Sequence, residues 1–150
     1  MAEDLTLVDS LVQTSFLIQG VMRRVAARHD LSVIQMRLLG ILRDREPGTL
    51  LLSRILELDK SSVTGLVDRA EKRGLVERVP DPDDGRAVRI KLTRSGRALV
   101  NRGAAEVEAE IETVAAGLTD PQRRQLAALL SRIASPPAHP AVPDTGRSPS

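Results

Sequence analysis

The chain has 150 residues, 22 Lys/Arg against 20 Asp/Glu, no cysteine, no Trp or Tyr, and one Phe. That length fits one domain, and the lack of cysteine excludes disulfides, thiolate metal sites and thiol-based redox sensing. Phe16 alone offers no platform for stacking unpaired bases, and no apolar run nears the roughly 18–20 residues of a membrane span.

The opening MAEDLTLVD is acidic and lacks the pattern of a signal peptide, so a cytoplasmic protein is expected. Residues 5–28 then predict a helix, with Leu7, Val8, Leu11, Val12, Ile18, Val21, Met22 and Val25 recurring at three- and four-residue steps. The stripe is wider than one globular contact needs. Arg23, Arg24 and Arg28 suit the negative end of the helix dipole. Ser32 can cap a second helix over about 33–45, which Pro47-Gly48 ends. A third spans about 50–57. Asp59 or Ser61 can cap a fourth over about 61–73, with Val63, Leu66, Val67 and Ala70 as its buried stripe. Ser62, Gly65, Arg69 and Lys72 fall on its other face, and Gly74 stops it.

Two strands follow, VERVP and AVRIKL, joined by the turn DPDDGR. In the second, Val88, Ile90 and Leu92 point one way and Arg89 and Lys91 the other, a plausible phosphate face. Thr93 or Ser95 starts a long helix to about 116. Its apolar residues Val100, Ala104, Val107, Ile111, Val114 and Leu118 alternate steps of four and three, a coiled-coil-like seam. Thr119-Asp120-Pro121 opens a last helix carrying Leu126, Leu129, Leu130 and Ile133. From Ser135 the Pro-rich tail is expected to be disordered.

Two short helices followed by a strand pair describe a helix-turn-helix with a β-hairpin wing. The expected fold is therefore mainly α with a small β wing. Residues 31–94 would form the DNA-binding lobe, and 1–30 with 95–134 a helical dimerisation region. Between residues 60 and 102 there are eleven cations and six acids, so the basic excess sits on that lobe. Lys60, Ser61, Ser62, Thr64, Gly65, Arg69 and Lys72 can meet the major groove; the three hydroxyl residues can equally serve as caps. Arg86 at the turn can enter a minor groove, with Asp84 bracing its guanidinium or simply shaping the turn. Asp68 can pair with Arg69 on the helix surface. His29 and His139 have no metal-ligand spacing, and no serine has a His/Asp context, so no metal, cofactor or catalysis is expected.

The segments LSVIQMRLL and LDKSSVTGLVDRAEKRGLVERVPDPDDGRAVRIKLT, with the following SGRALV, resemble the MarR family of bacterial winged-helix regulators. The resemblance implies a homodimer built from the terminal helices, bound to a pseudo-palindromic double-stranded operator. It often implies release by a small, frequently phenolic, effector. For the matching positions of Asp68 and Arg69 it implies intradomain salt links as well as phosphate or base contacts. A repressor is the expected role; a ligand-independent activator or architectural protein is the alternative, and a winged-helix protein-interaction module is a further one. A pocket is expected between the first, second and fifth helices, with Phe16, Gln19, Arg23 and Met36 as ligand-binding residues and Met22 as a further wall. Without Trp or Tyr, simple phenolic acids should bind it weakly or not at all. Where the family carries a glycine in the helix-turn-helix turn, this chain has Glu57. A positive φ there would cost on the order of 1 kcal/mol.

Overall fold

The computed structural model describes residues 4–134, so the tail from 135 lies outside the described residues. In chain order it contains α1 (Leu7–Arg28), α2 (Val33–Leu42), α3 (Thr49–Leu56), α4 (Lys60–Lys72), β1 (Val76–Pro80), β2 (Val88–Leu92), α5 (Arg94–Val114) and α6 (Asp120–Ala134). The architecture is mainly α with one two-stranded antiparallel hairpin.

Side-chain caps set the helix starts. Thr6 Oγ1 accepts from the Asp9 amide at 3.1 Å. Ser32 and Gln35 form a reciprocal capping box. Thr93 Oγ1 accepts from the Gly96 amide at 3.0 Å and donates to the Gly74 carbonyl at 2.5 Å, so Thr93, not Ser95, opens α5. The second helix ends at Leu42, three residues earlier than expected. The chain has to leave it to reach the wing: the Ile90 amide donates to the Pro47 carbonyl at 2.9 Å, and Gly48 bridges to Arg89. Residues 47 and 48 thus add a short third rung beside β2.

The chain divides into two compact units at residues 113/114. In the first, Val63, Leu66, Val67 and Ala70 of α4 pack with Leu38, Leu39 and Leu42 of α2, Leu52 and Leu56 of α3, and Ile90 and Leu92 of β2. Burying each such aliphatic side chain stabilises the fold by about 1.5–3 kcal/mol. Ala26 of α1 and Val100 of α5 belong to the same core. Glu57 ends α3 at φ 54°, in the left-handed region that the family comparison implied. Asp30, after α1, has the same φ of 54°, which the sequence did not announce.

The four-three seam of α5 is partly used within the chain. Val100, Ala104, Val107 and Ile111 line a cavity of about 390 Å³ together with Met22 of α1 and Met36 and Leu39 of α2. Ion pairs tie the same two helices outside it: Arg24 to Glu110 at 2.5 Å, Arg28 to Glu110 at 2.6 Å, and Arg28 to Glu106 at 3.3 Å. Of the three arginines expected to answer the helix dipole, Arg24 and Arg28 therefore have specific carboxylate partners, and the Arg24 hydrogen bond, followed by that from Arg28, holds the Glu110 pKa below the ordinary value.

In the second unit, Thr119 and Gln122 cap α6 reciprocally. Arg123 donates to the carbonyls of Leu118 and Ala115 at 3.2 and 3.1 Å, closing the turn before it.

The tightest backbone approach is at Gly96, where an added Cβ would lie 1.9 Å from the Leu75 carbonyl oxygen. Gly96→Ala should cost about 1–3 kcal/mol, the scale of forced overpacking. Gly103→Ala, whose Cβ would meet nothing within 4 Å, should stabilise α5 by about 1 kcal/mol. Urea unfolding of both variants checks the contrast; equal effects would disprove the steric account.

Candidate nucleic-acid interface

The fourth helix is fixed at its start by Asp59. Its carboxylate accepts the Ser62 amide at 2.8 Å and the hydroxyls of Ser61 and Ser62 at 2.7 and 2.9 Å. The Ser62 amide bond, then the two hydroxyls, bring its pKa from 3.8 down to about 2. Thr64 donates to the Lys60 carbonyl at 2.9 Å. The hydroxyl protons of Ser61, Ser62 and Thr64 are thus used locally, while their oxygens can still accept. Lys60, Arg69 and Lys72 are exposed and make no side-chain hydrogen bond or ion pair among the described residues.

Asp68 does not pair with Arg69. It takes Arg78 of β1 at 2.6 Å, and Arg78 also reaches Glu71 at 3.0 Å. One guanidinium on the wing therefore holds two carboxylates one helical turn apart, which sets the angle between α4 and the hairpin. At the other end of the helix, Arg73 donates to the carbonyls of Asp30 and His29 at 2.8 and 3.1 Å. His29 in turn lies 3.1 Å from Glu106 of α5. No local pattern signals these long-range partners.

In the wing, β1 and β2 pair from Val76↔Leu92 to Pro80↔Val88. Asp84 Oδ1 accepts the backbone amide of Arg86 at 3.0 Å, not its guanidinium. The short side chain reaches the amide two residues on and shapes the turn. That leaves the Arg86 side chain exposed and, among the described residues, without a partner at the tip. The expected phosphate face of β2 is already occupied. Arg89 lies 3.7 Å from Glu46 and Lys91 3.2 Å from Glu77, its cross-strand neighbour. Both cations would have to leave a carboxylate to meet DNA.

The cavity lies between α1, α2 and α5, and Met22 and Met36 line it. Phe16, Gln19 and Arg23 do not: they are exposed along α1. Phe16 and Gln19 lie before Met22, where the cavity begins, and Arg23 projects about 100° round the helix from it. His29, Arg43 and Glu108 supply polar groups to its wall. Neither these three nor the α5 seam were read as pocket residues, although the seam's period was the available signal.

A capped helix with free cations, braced to a hairpin tipped by an unpaired arginine, defines a winged-helix DNA-binding protein. A model described as the MarR family matches residues 29–87. Over 135 residues the chain is 30% identical to the HTH-type transcriptional regulator PecS of Dickeya dadantii, covering 87% of this chain and 81% of that one. It is 32% identical over 135 residues to the homoprotocatechuate degradative operon repressor of Escherichia coli, covering 89% of each. The fold is similar to that of wild-type MarR in its apo form from E. coli, with a TM-score of 0.75 at 24% identity over 89% of this chain and 99% of that one. The chain belongs to the MarR family of transcriptional regulators, which are not enzymes.

The Asp59 cap carries a pH signature. Its carboxyl pKa is lower folded than unfolded, so its contribution to stability is complete above about 3.8 and is lost as the pH falls through about 2. The gap in melting temperature between wild type and Asp59→Ala should narrow across that window. A gap that stays constant would show that the carboxylate does not cap α4.

Proposed function

We propose that this protein is a homodimeric repressor that binds a pseudo-palindromic operator and is released by a small ligand. The single observation that carries the DNA reading is the set of unpaired cations on α4 and at the wing tip. Lys60 and Lys72 then meet phosphates, Ser61, Ser62, Thr64, Gly65 and Arg69 face base edges, and Arg86 enters the minor groove. Asp68 and Asp84 serve as braces, and Arg89 and Lys91 contribute after exchanging partners. The repressor role is supported by what the E. coli relative is called.

Dimerisation is supported by apolar surface with no cover in one chain. On α1, Leu7, Val8, Phe16 and Leu17 are 72%, 68%, 63% and 57% exposed. On α6, Leu129 and Ile133 are 51% and 65% exposed. Large apolar side chains left exposed around the first half of α1 and one turn apart on α6 indicate a protein partner. The reading assigns 1–30 and 95–134 to the dimer and 31–94 to DNA. Ligand release is supported by the apolar cavity, which adjoins both regions. Its occupant must bind the DNA-incompetent state better than the competent one. The site of action is the cytoplasm; among the described residues no helix is long and apolar enough to cross a membrane.

Arg86→Ala should weaken operator binding by about 1–3 kcal/mol without changing the melting temperature. Titration of an operator duplex at fixed salt measures it, and wild-type affinity would remove the wing from the interface. Replacing Leu129 and Ile133 together by Asp should convert a dimer to a monomer in light scattering. A wild-type chain that is monomeric at micromolar concentration would overturn the dimer.

A further inference from the structure

A second, shallow depression lies on the recognition helix itself. Ile34 of α2, Leu58 of the α3–α4 turn and Leu66 form its apolar part, with Ser61, Gly65 and Arg69 beside them. Ile34 and Leu58 are only half-buried, and Ser61 and Arg69 are exposed. Gly65 opens this depression, and among the described residues nothing requires a glycine there. An added Cβ would meet only the far end of the flexible Arg69 side chain, at 3.4 Å. Gly96 is the opposite case, since the Leu75 carbonyl leaves no room for a side chain. In a helix interior glycine is the least favourable residue short of proline. On this exposed face, beside an apolar depression and an unpaired arginine, the room left by Gly65 is open to a molecule that approaches from outside.

We infer that this depression reads the 5-methyl edge of a thymine, with Arg69 on a neighbouring guanine. The inference rests on the DNA-binding reading of α4 proposed above. The major groove of unmodified B-DNA presents one methyl group, that of thymine; all its other recognition groups are polar. An apolar surface carried into that groove therefore has one complementary partner. The Arg69 fork is unpaired among the described residues and matches the O6 and N7 acceptors of guanine. Ile34 and Leu58 become specificity-determining residues although neither lies on the recognition helix.

The test begins with selection of bound sequences from random duplexes by the full chain. Each thymine of the selected site is then replaced singly by deoxyuridine, which removes only the methyl group. One thymine per half-site, next to a guanine, should lose about fourfold in affinity, the scale of one buried methyl group. Gly65→Ala should melt no lower than wild type yet bind thymine and uracil duplexes equally. Ile34→Thr, which puts a hydroxyl in the depression, should reduce the same discrimination. Arg69→Ala should lose the guanine preference, about tenfold, and keep the thymine preference. The inference is overturned if no position distinguishes thymine from uracil, or if Gly65→Ala and Ile34→Thr both discriminate as wild type does. Failure to bind any duplex would instead bring down the DNA reading itself, and this inference with it.

Discussion

Everything in the winged lobe depends on how closely α5 is allowed to approach the end of α4. The Thr93 amide donates to the Leu75 carbonyl at 3.0 Å, and the Gly96 backbone sits against the same carbonyl. Thr93 then joins Gly74, at φ 71°, to the first turn of α5 through its hydroxyl. Two glycines and one threonine thus lock the exit of the recognition helix to the entry of α5. Any movement of α5 is delivered to α4 with little slack, because backbone-to-backbone contacts have no side chain to absorb it.

The recognition helix is held at three further points. Asp59 fixes its start, the Asp68–Arg78–Glu71 group fixes its angle to the wing, and Arg73 ties its end to the turn after α1. Surface ion pairs are individually weak. Here their value is geometric, since one guanidinium shared between two carboxylates permits few orientations. What remains unrestrained is the set of long cations on the outer face and the wing tip. A rigid frame with mobile charged ends suits recognition of a polyanion, where the frame decides the groove and the side chains adapt to phosphates.

The elements were legible in the sequence because period, caps and turn residues are local. Ser32, Asp59 and Gly74 marked helix ends within a residue or two, and DPDDGR marked the wing. Glu57 was legible through the family comparison alone. Periodicity shows that a helix has an apolar face but not what covers it. The α5 seam therefore read as a pairing surface, although Val107 and Ile111 line a cavity in their own chain. Charge partners were the least legible. Arg73, Arg78 and Arg89 find acceptors 7 to 44 residues away, and no spacing rule names them. Arg89 and Lys91 had the right alternation for a phosphate face, but Glu46 and Glu77 were invisible to that pattern.

The arginine shared by Asp68 and Glu71 leaves that three-residue group with one net negative charge where α4 meets the wing. Like charges brought together there repel, and in recognition such repulsion discriminates as effectively as attraction. A DNA strand laid across this point would set its phosphates against a carboxylate. On the DNA reading proposed above, this carboxylate would act as an electrostatic watershed, and the helix and the wing would address different stretches of the sugar-phosphate backbone. On that reading, sliding of the duplex by a fraction of a groove would be resisted by repulsion alone, from a group that holds no phosphate.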